Sequence, residues 1–379
     1  MVVNQIYSIL NSICQQTNGE IALQSNNLTG LVALGDTVLS SSETKDVFLN
    51  ALVDVIGRTI ISNKPYAVDN YVLTDYFSFS ATLQKIYVDP LEARENPEYN
   101  LVDGESIDQY IVRKPTARQK IFSNKNTFGI DVTIPDDSLS SAFRTPEDMS
   151  VFIDGIMQAV ENTMQVEIEN LQLMAIDNMI GETIHSGKAT QKVNLLKEYN
   201  TLHSATLSVD AALTNVEFLK YATTRINETR KRMRKMSVLF NSEGWHRHTP
   251  DADLRVLVLD EFEDSVISYL QADTFHNEMV QLQGNYNTIP YWQAPGQDYA
   301  FANTSKVTIT TSSGNEVKQD GIVAMLFDKD AIFATYEMKT AESARNHKAK
   351  YTNFFFQYTK RYANDLSENC VVFYLATEQ

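Results

Sequence analysis

The spacing of apolar positions divides the chain into stretches of different character. Ile6, Ile9, Leu10 and Ile13 share one face of a short amphipathic helix over residues 4–16. A polar stretch, Gln24–Gly30, follows, and Ser42-Glu-Thr-Lys-Asp46 opens a second helix with Val47, Leu49, Leu52, Val53 and Ile56. Neither helix brings enough apolar surface for a core, so this segment predicts an arm that packs on something else. The period then changes to two. Phe77, Phe79, Ala81 and Leu83 alternate along Asp75–Gln84, and Phe128, Ile130, Val132 and Ile134 along Thr127–Ile134. Each is the pattern of a half-buried strand, and a long polar segment between them makes them the expected legs of one protruding hairpin.

Thr145-Pro-Glu-Asp148 is a strong helix start, with Thr as N-cap, Pro at the first position and acids in the first turn. Ile153, Met157, Val160, Met164, Ile168, Leu171, Ala175 and Met179 then recur every three or four residues, one continuous stripe. The helix should reach Ile184 and stop at Gly187, a length of roughly 50–60 Å. Beyond it the pattern is mixed. Val216–Met236 and Phe262–Leu270 read as helices; Ser237–Phe240, Leu254–Leu259, Thr304–Thr311 and Gly321–Phe327 read as strands. Long strands at Tyr351–Lys360 and Asn369–Ala376 close the chain, giving an α+β class.

Composition sharpens this. Of 379 residues only 14 are Gly and 9 Pro, which favours long elements joined by few tight turns, and 43% hydrophobic content excludes wholesale disorder. No apolar run has the length of a membrane span. The first basic residue is Lys45, so the positive region of a signal peptide is not expected, and two cysteines suit a reducing compartment. The net charge of −16 argues against a dedicated nucleic-acid binder. That charge is segregated. Asp89, Glu92, Glu95, Glu98, Asp103, Glu105 and Asp108 face only Arg94 in the first half of the polar segment; Arg113, Lys114, Arg118, Lys120 and Lys125 fill the second. Either the two halves neutralise each other in a solvated loop, or the loop is ordered by lying on a neighbouring subunit. The long helix carries acids and no Lys or Arg, so it forgoes i,i+4 ion pairs along its polar face.

Candidate chemistry is sparse. The chain has no dinucleotide or phosphate loop, no paired-His zinc motif, no C-x-x-C and no nucleophile elbow. His246 and His248, with Asp251 and Asp253, could form a metal site or an ordinary polar loop, and Arg247 between the two imidazoles favours the loop. Asp328-Lys-Asp330 reads as a turn before it reads as a Mg²⁺ site. The run Arg230–Lys235 could touch nucleic acid, but cations at a helix C-terminus also complement its dipole. No catalytic residue, metal ligand or cofactor is expected, and the chain does not read as an enzyme.

The order of elements (arm, long hairpin, long helix opened by Thr-Pro-Glu-Asp, mixed body, terminal strands) resembles the major capsid proteins of tailed bacteriophages, the Hong Kong-97-type fold. Gly321–Ile332, Thr340–Asn346 and Tyr351–Tyr362 look like that family's late strands, and Asn4–Asn11 with Asn63–Tyr66 is similar to the arm of small short-tailed phage capsids. The resemblance implies an arm at 1–65, an extended loop at 66–134, a peripheral domain at 135–204 with 333–368, and an axial domain at 205–332 with 369–379. It implies a structural protein that forms pentamers and hexamers of an icosahedral head around double-stranded DNA. Copies of itself would be the main partner, with a portal and possible scaffolding or decoration proteins, in a virion assembled in the host cytoplasm. Expected inter-subunit contacts are Phe77, Phe79, Phe128 and the acids Glu92, Glu95 and Glu98, facing Arg345, Lys348, Lys350, Lys360 or Arg361 of a neighbour. Asp154, Glu161, Glu167, Glu169 and Asp177 would form an acidic interior face. The alternatives are a bacterial nanocompartment shell of the same fold, another virion protein, or a metal enzyme using His246, His248 and Asp251.

Overall fold

The structure is a computed structural model that describes residues 7, 10–12, 14–15, 23, 26–40, 43–49, 70–72, 82–91, 93, 95, 99, 102–104, 106, 110, 112–123, 125–142, 146–270 and 286–377. In chain order the elements used below are α1 (Leu28–Leu39), β1 (Leu83–Val88), β2 (Ala117–Phe122), β3 (Lys125–Pro135), α2 (Asp136–Ala142) and α3 (Pro146–Ser186). They continue as β4 (Lys192–Asn194), α4 (Leu195–His203), α5 (Val216–Met233), β5 (Leu254–Leu259), β6 (Tyr286–Ile289), β7 (Val307–Thr310) and β8 (Glu316–Gln319). The last four are β9 (Ile322–Asp328), β10 (Ile332–Asn346), β11 (Tyr351–Asn364) and β12 (Cys370–Tyr374).

The chain divides into two compact units. Unit one takes residues 1–70, 125–172 and 335–361; unit two takes 71–124, 173–334 and 362–379. The 41-residue α3 therefore supplies its first part to unit one and its last turns to unit two. Val160, Met164, Ile168, Leu171, Ala175 and Met179 of its apolar stripe are buried, as the periodicity predicts.

Unit one centres on a sheet of order β10-β11-β3. β11 pairs antiparallel with β3 from Tyr351 opposite Pro135 to Arg361 opposite Lys125. Phe354, Phe356 and Tyr358 alternate inward along β11 because side chains of a strand alternate between faces. The Thr127–Ile134 leg of the expected hairpin thus finds its partner in β11, far away in sequence. Periodicity reports which face is apolar, not which strand lies alongside.

Unit two is built on a five-stranded sheet of order β4-β12-β9-β5-β6. β9 and β12 are buried at every position, which explains their unbroken apolar runs: both faces of the sheet are covered. Gly321 enters β9 at φ +75°, and a Cβ there would lie 2.2 Å from the Leu375 carbonyl oxygen, so only glycine fits. Ser237–Phe240 does not form the expected strand; Ser237 makes an isolated bridge with Arg247. The Phe262–Leu270 helix begins earlier, as Asp260–Ser265, and finishes in a wider turn over Val266–Leu270. Thr304–Thr311 splits into a short helical turn and β7.

Candidate inter-subunit surface

The sequence Leu83-Gln-Lys-Ile-Tyr-Val88 alternates two kinds of side chain, and the strand makes two different faces of them. β1 pairs antiparallel with β2, with Lys85 opposite Lys120, Ile86 opposite Gln119 and Tyr87 opposite Arg118. Leu83, Lys85, Tyr87, Arg118, Lys120 and Phe122 consequently share one face, and Gln84, Ile86, Val88, Ala117, Gln119 and Ile121 the other.

The first face is anchored within unit two. Leu83 and Phe122 pack on buried Phe333 and Ala363. Tyr87 stacks on Trp245 at 5.3 Å between ring centroids, and Arg247 lies 4.3 Å over the Tyr87 ring. Beneath them lies a charged cluster. The Lys85 ammonium contacts Asp365 at 2.7 Å and Glu368 at 2.6 Å, and that of Lys120 contacts Asp365 at 2.8 Å and also pairs with Glu243. Arg247 completes it at 3.1 Å from Glu368. The Asp365 side chain is 0% exposed. Burial alone would raise its carboxyl, but the Lys85 and Lys120 ammonium groups overcome this and hold it at about 2. Glu368 goes the other way: burial pushes its carboxyl up despite Lys85 and Arg247.

The second face has no such cover among the described residues. Ile86 is 67% exposed and Ile121 62%, with Val88 also exposed. Farther out, Leu91, Tyr99, Val102, Tyr110 and Val112 are exposed as well, Tyr99 to 85%. Exposed large apolar residues are ordinary singly and informative when grouped; here a single hairpin gathers eight of them. This apolar outer face escaped the sequence reading, which weighed the charges of the segment. Its signal was present in Ile86 and Val88 alternating with Lys85 and Tyr87, a strand with something to bury on both sides.

The sequence-derived contact residues fall in several environments. Phe77, Phe79, Glu92 and Glu98 lie outside the described residues. Glu95, Lys348 and Lys350 are exposed. Phe128 is half-buried in unit one, stacked on Tyr358 at 5.4 Å with Lys360 5.2 Å over its ring. Lys360 also reaches Glu167 at 3.2 Å. Arg345 bridges Asp46 at 2.9 Å and Asp136 at 3.1 Å, where Lys45 joins it, and Arg361 is buried. On α3, Glu161, Glu167 and Glu169 are half-buried, and the Asp154 side chain lies outside what is described.

Known proteins resemble this chain over most of its length. The Phi29-like phage major capsid protein family matches residues 6–374. The chain belongs to that family. A major capsid protein of Bacillus phage PZA is 21% identical over 383 residues, spanning 98% of this chain and 73% of that protein. The major capsid protein of Bacillus phage B103 is likewise 21% identical, over 378 residues with the same coverage. Among solved structures, the capsid of Staphylococcus phage Andhra matches 83% of this chain and 88% of its own at TM-score 0.53 and 12% identity. A chain from the head fiber and inner core structure of bacteriophage P68 matches 82% and 87%, at TM-score 0.52 and 11% identity. The α+β architecture is of the Hong Kong-97 type.

Such capsid proteins are structural and not enzymes. His246 and His248 are exposed, Arg247 between them turns to Tyr87 and Glu368, and Asp251 is held by Arg230 at 3.1 Å and Arg234 at 2.7 Å. Among the described residues no group of His, Cys, Asp and Glu is placed to hold a metal ion. No helix of the described residues is long and apolar enough to cross a membrane.

One acid of this capsid protein departs from the sequence expectation. Asp177 is buried, not part of a polar face, because past Leu171 the helix α3 is enclosed on more than its apolar stripe. Burial pushes its carboxyl well above the ordinary range, partly offset by a hydrogen bond with Gln293, and its Oδ1 has no hydrogen-bond partner among the described residues. The folded state therefore holds a proton that the unfolded chain releases near 3.8, and stability falls as pH rises above that value. Asp177→Asn is expected to be more stable than wild type at pH 7 by about 1–3 kcal/mol. The gain should vanish below about pH 4, measured by urea unfolding at both pH values; a loss of stability at pH 7 would contradict the assignment.

Proposed function

We propose that this capsid protein assembles through its hairpin into pentamers and hexamers of an icosahedral head that encloses a double-stranded DNA genome. The observation that carries the reading is the two-faced hairpin. Its inner face is locked by a charge cluster of its own unit, while its outer face leaves Ile86, Val88 and Ile121 mostly exposed to solvent. A subunit that holds an apolar ribbon rigidly outward gains stability when a second copy covers it, as obligate interfaces do. Phe77, Phe79, Glu92, Glu95 and Glu98 would extend the contact, with Lys348 and Lys350 as the exposed cations available to those acids. Arg345, Arg361 and Phe128 would support it from within unit one. Assembly would take place in the host cytoplasm, with a portal and scaffolding or decoration proteins as further partners.

The polar face of α3 gets a separate role in this reading. Asp154, Glu161 and Glu169 would line the interior, where like charge keeps packaged DNA from adhering to the wall, while Glu167 is neutralised by Lys360. The family match favours a phage head over a nanocompartment of the same fold. Negative-stain images of the expressed chain test the central claim: closed shells are expected, and tubes, rings or dispersed monomers would overturn it.

A further inference from the structure

The end of α5 carries Arg230-Lys-Arg-Met-Arg-Lys235, a cationic run in a chain of net charge −16. Helix capping accounts for only part of it. Met233 alone of the six is buried; Lys231, Arg232, Arg234 and Lys235 are exposed. Asp251 serves both Arg230 and Arg234, and Arg232 reaches Glu228 at 3.3 Å in an exposed pair, so two carboxylates answer five cations. Lys231 and Lys235 have no acidic partner among the described residues. They stand four apart in sequence, and Thr249 N–H donates to the Met233 carbonyl at 2.9 Å, which brings exposed His248 to the same end of the helix.

We infer that this helix end is a sequence-independent contact for the phosphate backbone of duplex DNA, centred on Lys231 and Lys235 with Arg232 and Arg234. Its composition distinguishes it from a protein interface. Protein interfaces are depleted of Lys and concentrate their energy in desolvated apolar anchors, whereas the two cations left without an acid among the described residues here are both exposed Lys. Lys and Arg contacts to phosphate need no apolar centre, because their free energy comes from counterion release. Arg234 spends one guanidinium nitrogen on Asp251 and keeps other donors for a phosphate oxygen. The repulsive net charge of the chain keeps each contact weak, and a weak contact is enough where DNA is confined at high concentration. The inference rests on the capsid reading only for the source of the DNA.

The test uses the full chain before assembly and a random-sequence DNA duplex, with fluorescence anisotropy between about 50 and 200 mM salt. Wild type should bind with a salt-dependent affinity. In Lys231→Gln/Lys235→Gln the slope of log affinity against log salt should shrink by about 2, one unit per lost phosphate contact, while shells still form. Absent binding by wild type, or an unchanged slope in the variant, overturns the inference. Loss of shells with DNA binding intact also overturns it, since the surface would then belong to a contact between copies. Whether wild type forms shells at all is read separately and bears on the capsid proposal alone.

Discussion

Replacing Ile86 and Ile121 together by aspartate is expected to abolish shell assembly while leaving the subunit folded. Both side chains lie on the outer face of the hairpin, and both are mostly exposed in the single chain. A polar replacement therefore removes little internal contact of the subunit, and surface substitutions of this kind shift stability by about 0.5 kcal/mol or less. In an assembled shell the same positions would be covered. Each buried isoleucine contributes about 2 kcal/mol, so the pair loses roughly 4 kcal/mol per contact, about a thousandfold in its equilibrium constant. The cost of burying two carboxylates adds to this. Since a shell repeats the contact, the concentration needed for assembly should rise beyond experimental reach. Circular dichroism and urea unfolding should match wild type, and electron microscopy should show no shells. Wild-type shell yield would refute the outer face as a contact.

Asp365→Asn is expected to act on the other side of the same hairpin, through stability of the subunit itself. The substitution keeps the shape of a fully buried side chain and removes the charge that Lys85 and Lys120 share. Breaking a buried ion pair from one side costs about 3–5 kcal/mol; Glu368 and Glu243 retain one ammonium each, which places the loss near the lower end, about 3 kcal/mol. The pH dependence gives a second signature. A carboxyl lowered from 3.8 to about 2 stabilises the fold above its unfolded value, and that contribution is lost as pH falls through about 2. The gap between wild type and variant in urea unfolding should thus be full at pH 7 and shrink below about pH 4. A gap independent of pH, or no gap, would show that the cluster does not anchor the hairpin. The two variants also separate the two faces: the isoleucine pair should alter assembly without altering the subunit, and Asp365→Asn should lower subunit stability first.

Much of the architecture is legible in the chain because it depends on local periodicity. The apolar stripe from Val160 to Met179 predicts α3, and its observed end at Ser186 lies beside the expected stop at Gly187. The unbroken runs of β9 and β12 announce strands buried on both faces. These features follow from rules that couple a residue only to its near neighbours along the chain. Even the outer face of the hairpin is written there, in Ile86 and Val88 alternating with Lys85 and Tyr87, once the strand is allowed two apolar sides.

Pairings and burial of charge had to come from the tertiary structure. Nothing local in Thr127–Ile134 says that its partner is Tyr351–Arg361, since backbone hydrogen bonds carry no sequence label. Nothing in an all-acidic helix separates Asp177, enclosed and protonation-prone, from Glu161, which keeps access to water. The same holds for Lys85 and Lys120, two cations of a polar segment until residues far downstream bring Asp365 and Glu368 beneath them. By itself the sequence determined the elements, their order and the excess of acid. The tertiary structure decided which charges are neutralised inside the subunit and which apolar side chains stay exposed on the hairpin, because both depend on distances between residues far apart in the chain.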